Sequence, residues 1–475
     1  MRPREVYMKI RKFIVKKLFN LYDYSLDFIT DSPITIIHGI NGVGKTTVLR
    51  LISSIIKGDL KTLGSIPFVS ATIVFDNNEE ICVMKAQENI SRYISNILSK
   101  PVSKRESGLL KSLKRSQKMI RNDYESEFTV LYYQFTDKKG SRSIIAKFLN
   151  ENKPFNYQEA RELTSNIKDY DEGNDIRELL TNAHKVQESS EKRLKKELET
   201  INRKISICSI GANRIFSASS VGEANKNVGF EETIISNANQ LKMLISRIRD
   251  KKDDISEDLD GSYPTRLLKL YASKDSFQIK ESHLLKKWEM LEEKRAPIIQ
   301  LGLMQEESLN INSILNGSGE YPKEAFPALM LYMQDYIKKL SAYDDVKAKL
   351  LLFVDIINNR NEFTDKKMII DPDKGVSFKS INGTEIPLTL LSSGEKNNFI
   401  MFFELIFNCD EGTTILIDEP EISLHVLWQR EFIDELLDIC EINNLQAIVA
   451  THSPIIVGEH TELMIELNEE NSDEE

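Results

Sequence analysis

A glycine-rich stretch near the start of the chain has the spacing of a phosphate-binding loop. Residues 39–47, GINGVGKTT, match the pattern GxxxxGK[ST] and lie between an apolar run, Ile34–His38, and a helical pattern from Lys45 to about Ile56. Glycines allow consecutive backbone N–H groups to surround phosphate oxygens, and the start of a helix adds positive potential. Lys45 can reach the outer phosphates, and the Thr46 hydroxyl can ligate Mg²⁺. We therefore expect phosphate contacts from Gly39, Asn41, Gly42, Gly44, Lys45, Thr46 and Thr47.

Two adjacent carboxylates follow an apolar run near the other end of the chain. The run 413–417 has the pattern of a buried strand, and it ends at Asp418 and Glu419. Ligands bind at the carboxyl ends of parallel strands, and a hard cation and an attacking water need separate carboxylates. We assign Asp418, together with Thr46, to a metal ion and Glu419 to the role of general base. Taken alone, such a pair could also be a capped turn.

Two further segments indicate a function mainly because they occur together with the glycine-rich loop and the two carboxylates. Ser392 and Gly394, in LSSGE, precede an apolar helix expected to begin near Asn398, and could form a second anion site or an ordinary N-cap. His452 follows an apolar run in VATHS, where a lone histidine is most often a packed or capping residue. Neither segment specifies a chemistry by itself.

Together, the four segments resemble the motifs of ABC ATPases. The resemblance makes GINGVGKTT the P-loop, LSSGE the signature, ILIDEPE the Walker B strand and VATHS the switch-histidine segment, in the order expected. It implies hydrolysis of ATP with Mg²⁺, with Glu419 and His452 as catalytic residues. It also implies two chains enclosing two ATP molecules, with Ser392, Gly394 and Glu395 of one chain facing the nucleotide of the other. Each chain would then supply two half-sites, so self-association would be part of the mechanism.

Some features of the resemblance have no unique position in the sequence. The family has a loop with a glutamine, for which Gln87 and Gln134 are both candidates. Phe13, Phe19 and Tyr22 are equivalent candidates for contacts to adenine. A recurrent arginine of these ATPases matches Arg214, which could support the site or pair with a carboxylate.

The length of chain between the motifs indicates which kind of ATPase this sequence resembles. Thr46 and Asp418 are 372 positions apart, more than a transporter's nucleotide-binding domain needs, and the excess is mostly charged helix. This resembles the AAA_21-like ATPases of the SMC, RecF and OLD branch. Within that branch, HGINGVGKTT, LTLLSSGEKNN, LIDEPEISLHVLWQ and ATHSPIIV are similar to bacterial antiphage ATPases, notably AriA of PARIS and PtuA of Septu.

The resemblance implies a sensor ATPase that controls a separate nuclease effector. Its other expected partners are a phage-derived trigger and copies of itself, as a dimer or a higher oligomer such as a hexamer. With six histidines, two of them in ATPase motifs, a metal-dependent nuclease is hard to build within this chain. The alternative is an SMC/RecF-like DNA-repair ATPase that clamps DNA directly, and a third option is a toxin that acts alone. Nucleic-acid binding stays open.

The pattern of elements predicts an α/β fold: an ABC-type ATPase head with a mixed N-terminal β lobe, split by a helical and short coiled-coil insertion. Heptad-like spacing at Leu241, Leu244 and Ile248, and again from Leu284 to Ile298, favours two short helices folded on each other or two amphipathic helices on a core. The expected divisions are an N-terminal part of the head, a helical and β insertion with one returning strand, a helical or coiled-coil insertion, a C-terminal part of the head and an acidic tail. Their ranges are 1–85, 86–230, 231–355, 356–468 and 469–475.

The charge, cysteine and hydrophobic content of the chain argue against several other classes of protein. The net charge of −10 argues against a surface that is attractive to nucleic acid as a whole, so any such contact needs a local patch. The basic stretch 100–121 could be that patch or a solvated face. The four cysteines are far apart, which disfavours disulfides and zinc. The apolar run near the N-terminus is interrupted by Lys and Arg, so we expect a cytoplasmic protein with no membrane partner.

Overall fold

The computed structural model describes ten stretches of the chain, and its contacts divide the chain into two compact units. The described residues are 7–40, 42–89, 127–137, 140–150, 153–154, 192–210, 230–272, 280–305, 323–361 and 365–467. The first unit comprises Met1–Ala212, Asp410–Ile422 and Asn443–Glu475, and the second comprises Asn213–Cys409 and Ser423–Ile442. This division differs from the boundaries expected from the sequence at residues 85, 230 and 355.

The first unit contains a seven-stranded antiparallel sheet. Its strands, in the order β2-β1-β4-β5-β6-β7-β8, are β1 Ile10–Leu18, β2 Tyr22–Asp27, β4 Ser70–Phe75, β5 Glu80–Asn89, β6 Glu127–Asp137, β7 Gly140–Asn150 and β8 Lys153–Pro154. Strand β5 runs past the expected boundary at residue 85, and β6 pairs with it along its whole length. The β lobe therefore continues past that boundary, because β6 and β7 pair with each other as a hairpin and β6 pairs with β5.

The first unit also contains a five-stranded parallel sheet. Its strands, in the order β15-β3-β14-β13-β9, are β3 Ile34–His38, β9 Ser206–Ile210, β13 Thr413–Asp418, β14 Gln446–Thr451 and β15 Met464–Glu466. Every residue of β14 is buried, as expected for a parallel strand covered on both faces. Helix α1, Lys45–Lys57, packs on this sheet through Val48, Leu51, Ile52 and Ile55. The predicted α/β fold is confirmed. Helix α2, Leu60–Ser65, follows α1.

A buried glutamine joins the parallel sheet to β1. Gln446 Oε1 accepts a hydrogen bond from the Ile10 N–H at 2.9 Å, and Gln446 Nε2 donates to the Ile10 carbonyl at 2.7 Å. The Thr414 hydroxyl donates to the same Oε1 at 3.1 Å. One side chain therefore satisfies both backbone groups of a residue that is 436 positions away.

The second unit packs helices around a three-stranded antiparallel sheet. The strands are β10 Lys366–Asp371, β11 Gly375–Ser380 and β12 Glu385–Ile386. Gly375, which begins β11, has a φ of +81°, and a Cβ placed on it would lie 2.0 Å from the Ala238 carbonyl oxygen. Only glycine lets the helix Phe230–Ala272 approach this turn so closely.

The helical insertion is present, but its helices differ in length from the prediction. The helix Phe230–Ala272 has 43 residues and Glu281–Gln300 has 20, so the first is not short. Both pack on a third helix, Phe326–Leu340. Leu244, one of the residues predicted from the heptad-like spacing, is partly buried. The other predicted side chains are buried: Leu241, Ile248, Leu284, Trp288, Leu291 and Ile298.

Two helices that follow in the chain begin or end at residues that differ from the prediction. The helix Lys347–Asn361 spans the expected boundary at residue 355. The helix after LSSGE is Ser393–Phe403, so it begins inside that motif and not near Asn398. A capping serine accounts for the earlier start, as described below. The described helices include none that combines the length and apolarity needed to cross a bilayer.

Candidate active site

Glycines shape the loop between β3 and α1. Gly42 and Gly44 have φ values of +91° and +99°, in the left-handed region that glycine adopts readily. A Cβ on Gly44 would lie 3.2 Å from side-chain atoms of both Leu18 and Phe19. The backbone conformation therefore favours glycine at position 44, and a Cβ there would be a tight contact to both side chains. Asn41 lies outside the described residues.

A tyrosine that the sequence analysis did not single out supports this loop. The Tyr24 hydroxyl donates to the Val43 carbonyl at 2.9 Å, and the ring is almost completely buried. The available signal was the alternation of β2, which places Tyr24 on the buried face. Of the three candidates for adenine contacts, Phe13 is fully buried in the core, which excludes it, whereas Phe19 is exposed beside Gly44.

The lysine of the loop is held by the loop itself. Lys45 Nζ donates to the carbonyls of Gly39 at 2.6 Å and Ile40 at 3.0 Å. Burial lowers the pKa of Lys45, and the carboxylates of Glu419, Glu421 and Asp418 partly offset this effect. The ammonium group is thus already inside the loop and can exchange carbonyls for phosphate oxygens. Thr46 and Thr47 follow in the first turn of α1, exposed and half-buried respectively.

The predicted metal ligands lie next to each other. The Thr46 hydroxyl donates to Asp418 Oδ1 at 3.0 Å, although the two residues are 372 positions apart. Burial raises the pKa of Asp418 and the neighbouring Glu419 raises it further, whereas the Thr46 hydrogen bond and Lys45 lower it. A hydroxyl and a carboxylate are the hard oxygen ligands that Mg²⁺ prefers, so the pair fits this ion.

Glu419 has a backbone conformation that is unusual for a residue other than glycine. Its φ is +49°, and its N–H donates to the Ala450 carbonyl at 2.8 Å. This hydrogen bond continues the ladder between β13 and β14 by one residue. Strained backbone of this kind concentrates at functional sites. The side chain is 29% exposed, which leaves the carboxylate accessible to water.

The predicted histidine lies beside two glutamates. His452 Nδ1 is 3.9 Å from Glu419 Oε1 and 3.0 Å from Glu421 Oε1. Glu421 is not among the residues predicted from the sequence, although it lies two residues after Glu419 in the same motif. The Thr451 hydroxyl and the His452 N–H also donate to Glu421 Oε1, at 2.8 and 3.1 Å.

The signature segment forms the start of a helix in the second unit. Ser392 is the N-cap, with the Glu395 N–H donating to Ser392 Oγ at 3.3 Å and the Ser392 N–H donating to Glu395 Oε2 at 2.7 Å. This capping box fits the ordinary N-cap interpretation. Its geometry leaves untested whether Ser392 and Gly394 contact a partner's nucleotide.

Glu395 is engaged within its own unit. Lys366 Nζ donates to both carboxylate oxygens, at 2.8 and 2.9 Å, and the Glu395 side chain is only 3% exposed. Burial raises the pKa of Glu395, but the hydrogen bonds from Lys366 and Ser392 bring it below its usual value. Glu395 therefore holds the motif in place, and a direct contact to nucleotide stays a prediction.

The glutamine candidates lie in strands of the seven-stranded sheet. The Tyr133 hydroxyl donates to the Ile55 carbonyl of α1 at 3.3 Å, so this face of β6 packs on that helix. Its neighbour Gln134 points to the opposite face, which argues against a role at the loop that begins α1. Gln87 lies in β5, where it pairs with Thr129. Arg214 and the basic stretch 100–121 lie outside the described residues.

The chain is similar to a known protein family and to a phage protein. The profile of the AAA_21 family, described as "AAA domain, putative AbiEii toxin, Type IV TA system", matches residues 34–458, which contain every motif discussed above. Protein ea59 of Escherichia phage lambda is 30% identical over 125 residues, covering 26% of this chain. The match spans 23% of the length of that relative.

Similar solved structures include two archaeal Smc head domains. One, from Pyrococcus furiosus, has an extended coiled coil and is bound to the C-terminal domain of ScpA; its TM-score is 0.31 at 12% identity, covering 97% of this chain and 94% of that one. The other, from Pyrococcus yayanosii, has a coiled coil and joint; its TM-score is 0.29 at 12% identity, covering 97% and 95%.

Proposed function

The chain belongs to the AAA_21 family of AAA domains, and we propose that it is an ATPase that hydrolyses ATP with Mg²⁺ by an ABC-type mechanism. The observation that carries this proposal is the meeting of three motifs at one edge of the parallel sheet. Lys45 and Thr46 follow β3, Asp418 and Glu419 end or follow β13, and His452 follows β14. All of them belong to the first unit.

The proposed roles follow from the contacts. Lys45 would donate to the β- and γ-phosphates in place of the loop carbonyls, and Thr46 and Asp418 would hold Mg²⁺, which neutralises phosphate charge when bound. Glu419, accessible to water, would accept the proton of the attacking water. His452 would hydrogen-bond to the γ-phosphate.

Hydrolysis in this proposal requires a homo-oligomer assembled through the ATPase heads. The resemblance of LSSGE to the ABC signature supports it. Ser392 and Gly394 would contact the ATP of a neighbouring chain.

The biological role we propose is a sensor in antiphage defence that controls a separate nuclease effector. Support comes from the resemblance of four motifs to antiphage ATPases, and from the family description, which names a toxin–antitoxin system. The competing function is a DNA-clamping ATPase of the SMC/RecF kind.

The catalytic proposal is tested by two substitutions and a control. Lys45→Ala should weaken ATP binding about 10–100-fold, the value of one charge-assisted hydrogen bond or two. Glu419→Gln should retain ATP binding and lower kcat about 10²–10⁴-fold by removing the general base. Glu411→Gln, an exposed glutamate near the other end of β13, is the matched control and should behave as wild type. Wild-type protein without Mg²⁺-dependent ATPase activity would refute the proposal.

The same Glu419→Gln variant tests the biological role. We expect it to trap an ATP-bound oligomer and to retain an effector during affinity purification, with mass measurement giving partner and stoichiometry. Steep, salt-dependent stimulation of the ATPase by duplex DNA would favour the clamp instead. Nuclease activity of the purified chain that is lost in Glu419→Gln would refute control of a separate effector.

A further inference from the structure

A buried carboxylate beside the proposed active site has a specific hydrogen-bonding environment. Glu421 lies in the short 3-10 turn Pro420–Ser423 after β13, and its side chain is 8% exposed. Its Oε1 accepts from the Thr451 hydroxyl at 2.8 Å and the His452 N–H at 3.1 Å, and it is 3.0 Å from His452 Nδ1. One oxygen thus contacts the backbone and the ring of the same histidine.

We propose that Glu421 is the positioning residue for His452. The hydrogen bond from the His452 N–H to Glu421 fixes the backbone directly after β14. The contact between Glu421 Oε1 and Nδ1 fixes the orientation of the His452 ring. A proton on Nδ1 would face the Glu421 carboxylate, which only accepts hydrogen bonds, and Nε2 would then be the nitrogen that remains for substrate. Glu421 therefore determines which ring atom of His452 can meet the γ-phosphate.

The two glutamates of the turn divide their tasks by distance and exposure. Glu419 Oε1 is 3.9 Å from His452 Nδ1, beyond hydrogen-bond distance, and its side chain is 29% exposed. Glu421 is closer to the ring and more deeply buried. The Glu419 carboxylate therefore stays available for water while Glu421 orients the histidine. Only Pro420 separates the two in the chain, so a single turn places both.

The Thr451 hydroxyl also holds the backbone that follows His452. Thr451, at the end of β14, is fully buried, and its Oγ1 accepts from the Ser453 N–H at 2.9 Å while donating to Glu421. The backbone on both sides of His452 is thereby fixed, by Glu421 on one side and by Thr451 on the other.

The inference rests on the proposed ATPase function and is tested by a double-mutant cycle. Glu421→Ala should lower kcat about 10–100-fold, the range for loss of a group that orients a functional side chain, while the Kd for ATP changes little. His452→Ala should lower kcat at least as much. The double variant should be no slower than His452→Ala alone, because Glu421 acts through the histidine.

Two further variants separate positioning from general structural damage. Glu421→Gln keeps an acceptor for Nδ1 and should retain more activity than Glu421→Ala. It replaces Glu421→Ala in the cycle if that variant fails to fold. Glu462→Gln is the control, since Glu462 is 66% exposed and lies 3.6 Å from the Nδ1 of another histidine, His460, and it should leave kcat unchanged.

The outcomes distinguish this inference from the function on which it rests. A wild-type chain without ATPase activity would refute the proposed ATPase function. An active wild type with unchanged kcat in Glu421→Ala would overturn the positioning role alone. So would losses that add in the double variant, or a loss that appears in the Kd for ATP and not in kcat.

Discussion

Replacing Arg360 by methionine should destabilise the second unit by an amount that increases above neutral pH. Arg360 is 1% exposed, and its Nε donates to Glu435 Oε1 at 3.2 Å while its NH2 contacts the other carboxylate oxygen. The guanidinium carbon also lies 4.6 Å from the ring centre of Phe402 and 5.7 Å from that of Trp428. The substitution removes these contacts and leaves a buried carboxyl group without its cation.

The pH dependence follows from the titration of Glu435. Burial raises the pKa of Glu435 from 4.5 to about 7, although the charge and hydrogen bond of Arg360 oppose this rise. A folded pKa above the unfolded one contributes stability that is complete below pH 4.5 and is lost as the pH rises through the folded pKa. In wild type this loss ends near pH 7. Without Arg360 the folded pKa is higher, so the loss continues to higher pH.

The size of the change in the free energy of unfolding follows from the titration of one proton on Glu435. Between pH 7 and 9 the difference in free energy of unfolding between wild type and Arg360→Met should grow by about 1.4 kcal/mol per pH unit, approaching about 3 kcal/mol. Glu435→Leu should instead cost about 3–5 kcal/mol with no pH dependence in this range, because the guanidinium cannot lose its proton. Replacing both residues should recover most of the loss.

Tryptophan fluorescence during urea unfolding is a suitable assay. The chain has two tryptophans, Trp288 and Trp428, and both lie in the second unit, so the signal reports on that unit. Equal m-values would show that the variants unfold to similar states. A cost of Arg360→Met that is the same at pH 7 and pH 9, or a pH dependence in Glu435→Leu, would refute the reasoning.

Three further predictions concern other contacts. Gly375→Ala should cost more than about 2 kcal/mol because its Cβ overlaps a helix backbone, whereas Gly383→Ala, with a φ of +79° and no described atom within 4 Å of a Cβ, should cost about 1 kcal/mol in the same urea assay. Equal costs would contradict this. Gln446→Leu should lower the free energy of unfolding by about 2–4 kcal/mol by leaving two buried backbone groups unpaired, and an unchanged melting curve by circular dichroism would count against it. Tyr24→Phe should raise the Kd for ATP about 3–10-fold by releasing the Val43 carbonyl, which calorimetry would detect.

Features set by neighbouring residues could be predicted from the sequence. The limits of β3 and the start of α1 agree with the predictions, because an apolar run and glycine positions act over a few residues. The P-loop and the two carboxylates after β13 could likewise be recognised, since a short spacing specifies their chemistry. The order of the motifs was sufficient to anticipate that Thr46 and Asp418 would meet, as the structure shows.

Contacts between distant segments were decided only by the tertiary structure. No pattern around Glu421 indicates that its buried oxygen orients His452, because that depends on where the ends of β13 and β14 meet. Gln446 is likewise an ordinary strand residue until β1 lies against it. The extent of the β lobe and the division into two units depend on strand pairing across long stretches of chain. Local sequence specifies which groups can react, whereas packing of remote segments determines which neighbour holds each group and what remains free to meet the substrate.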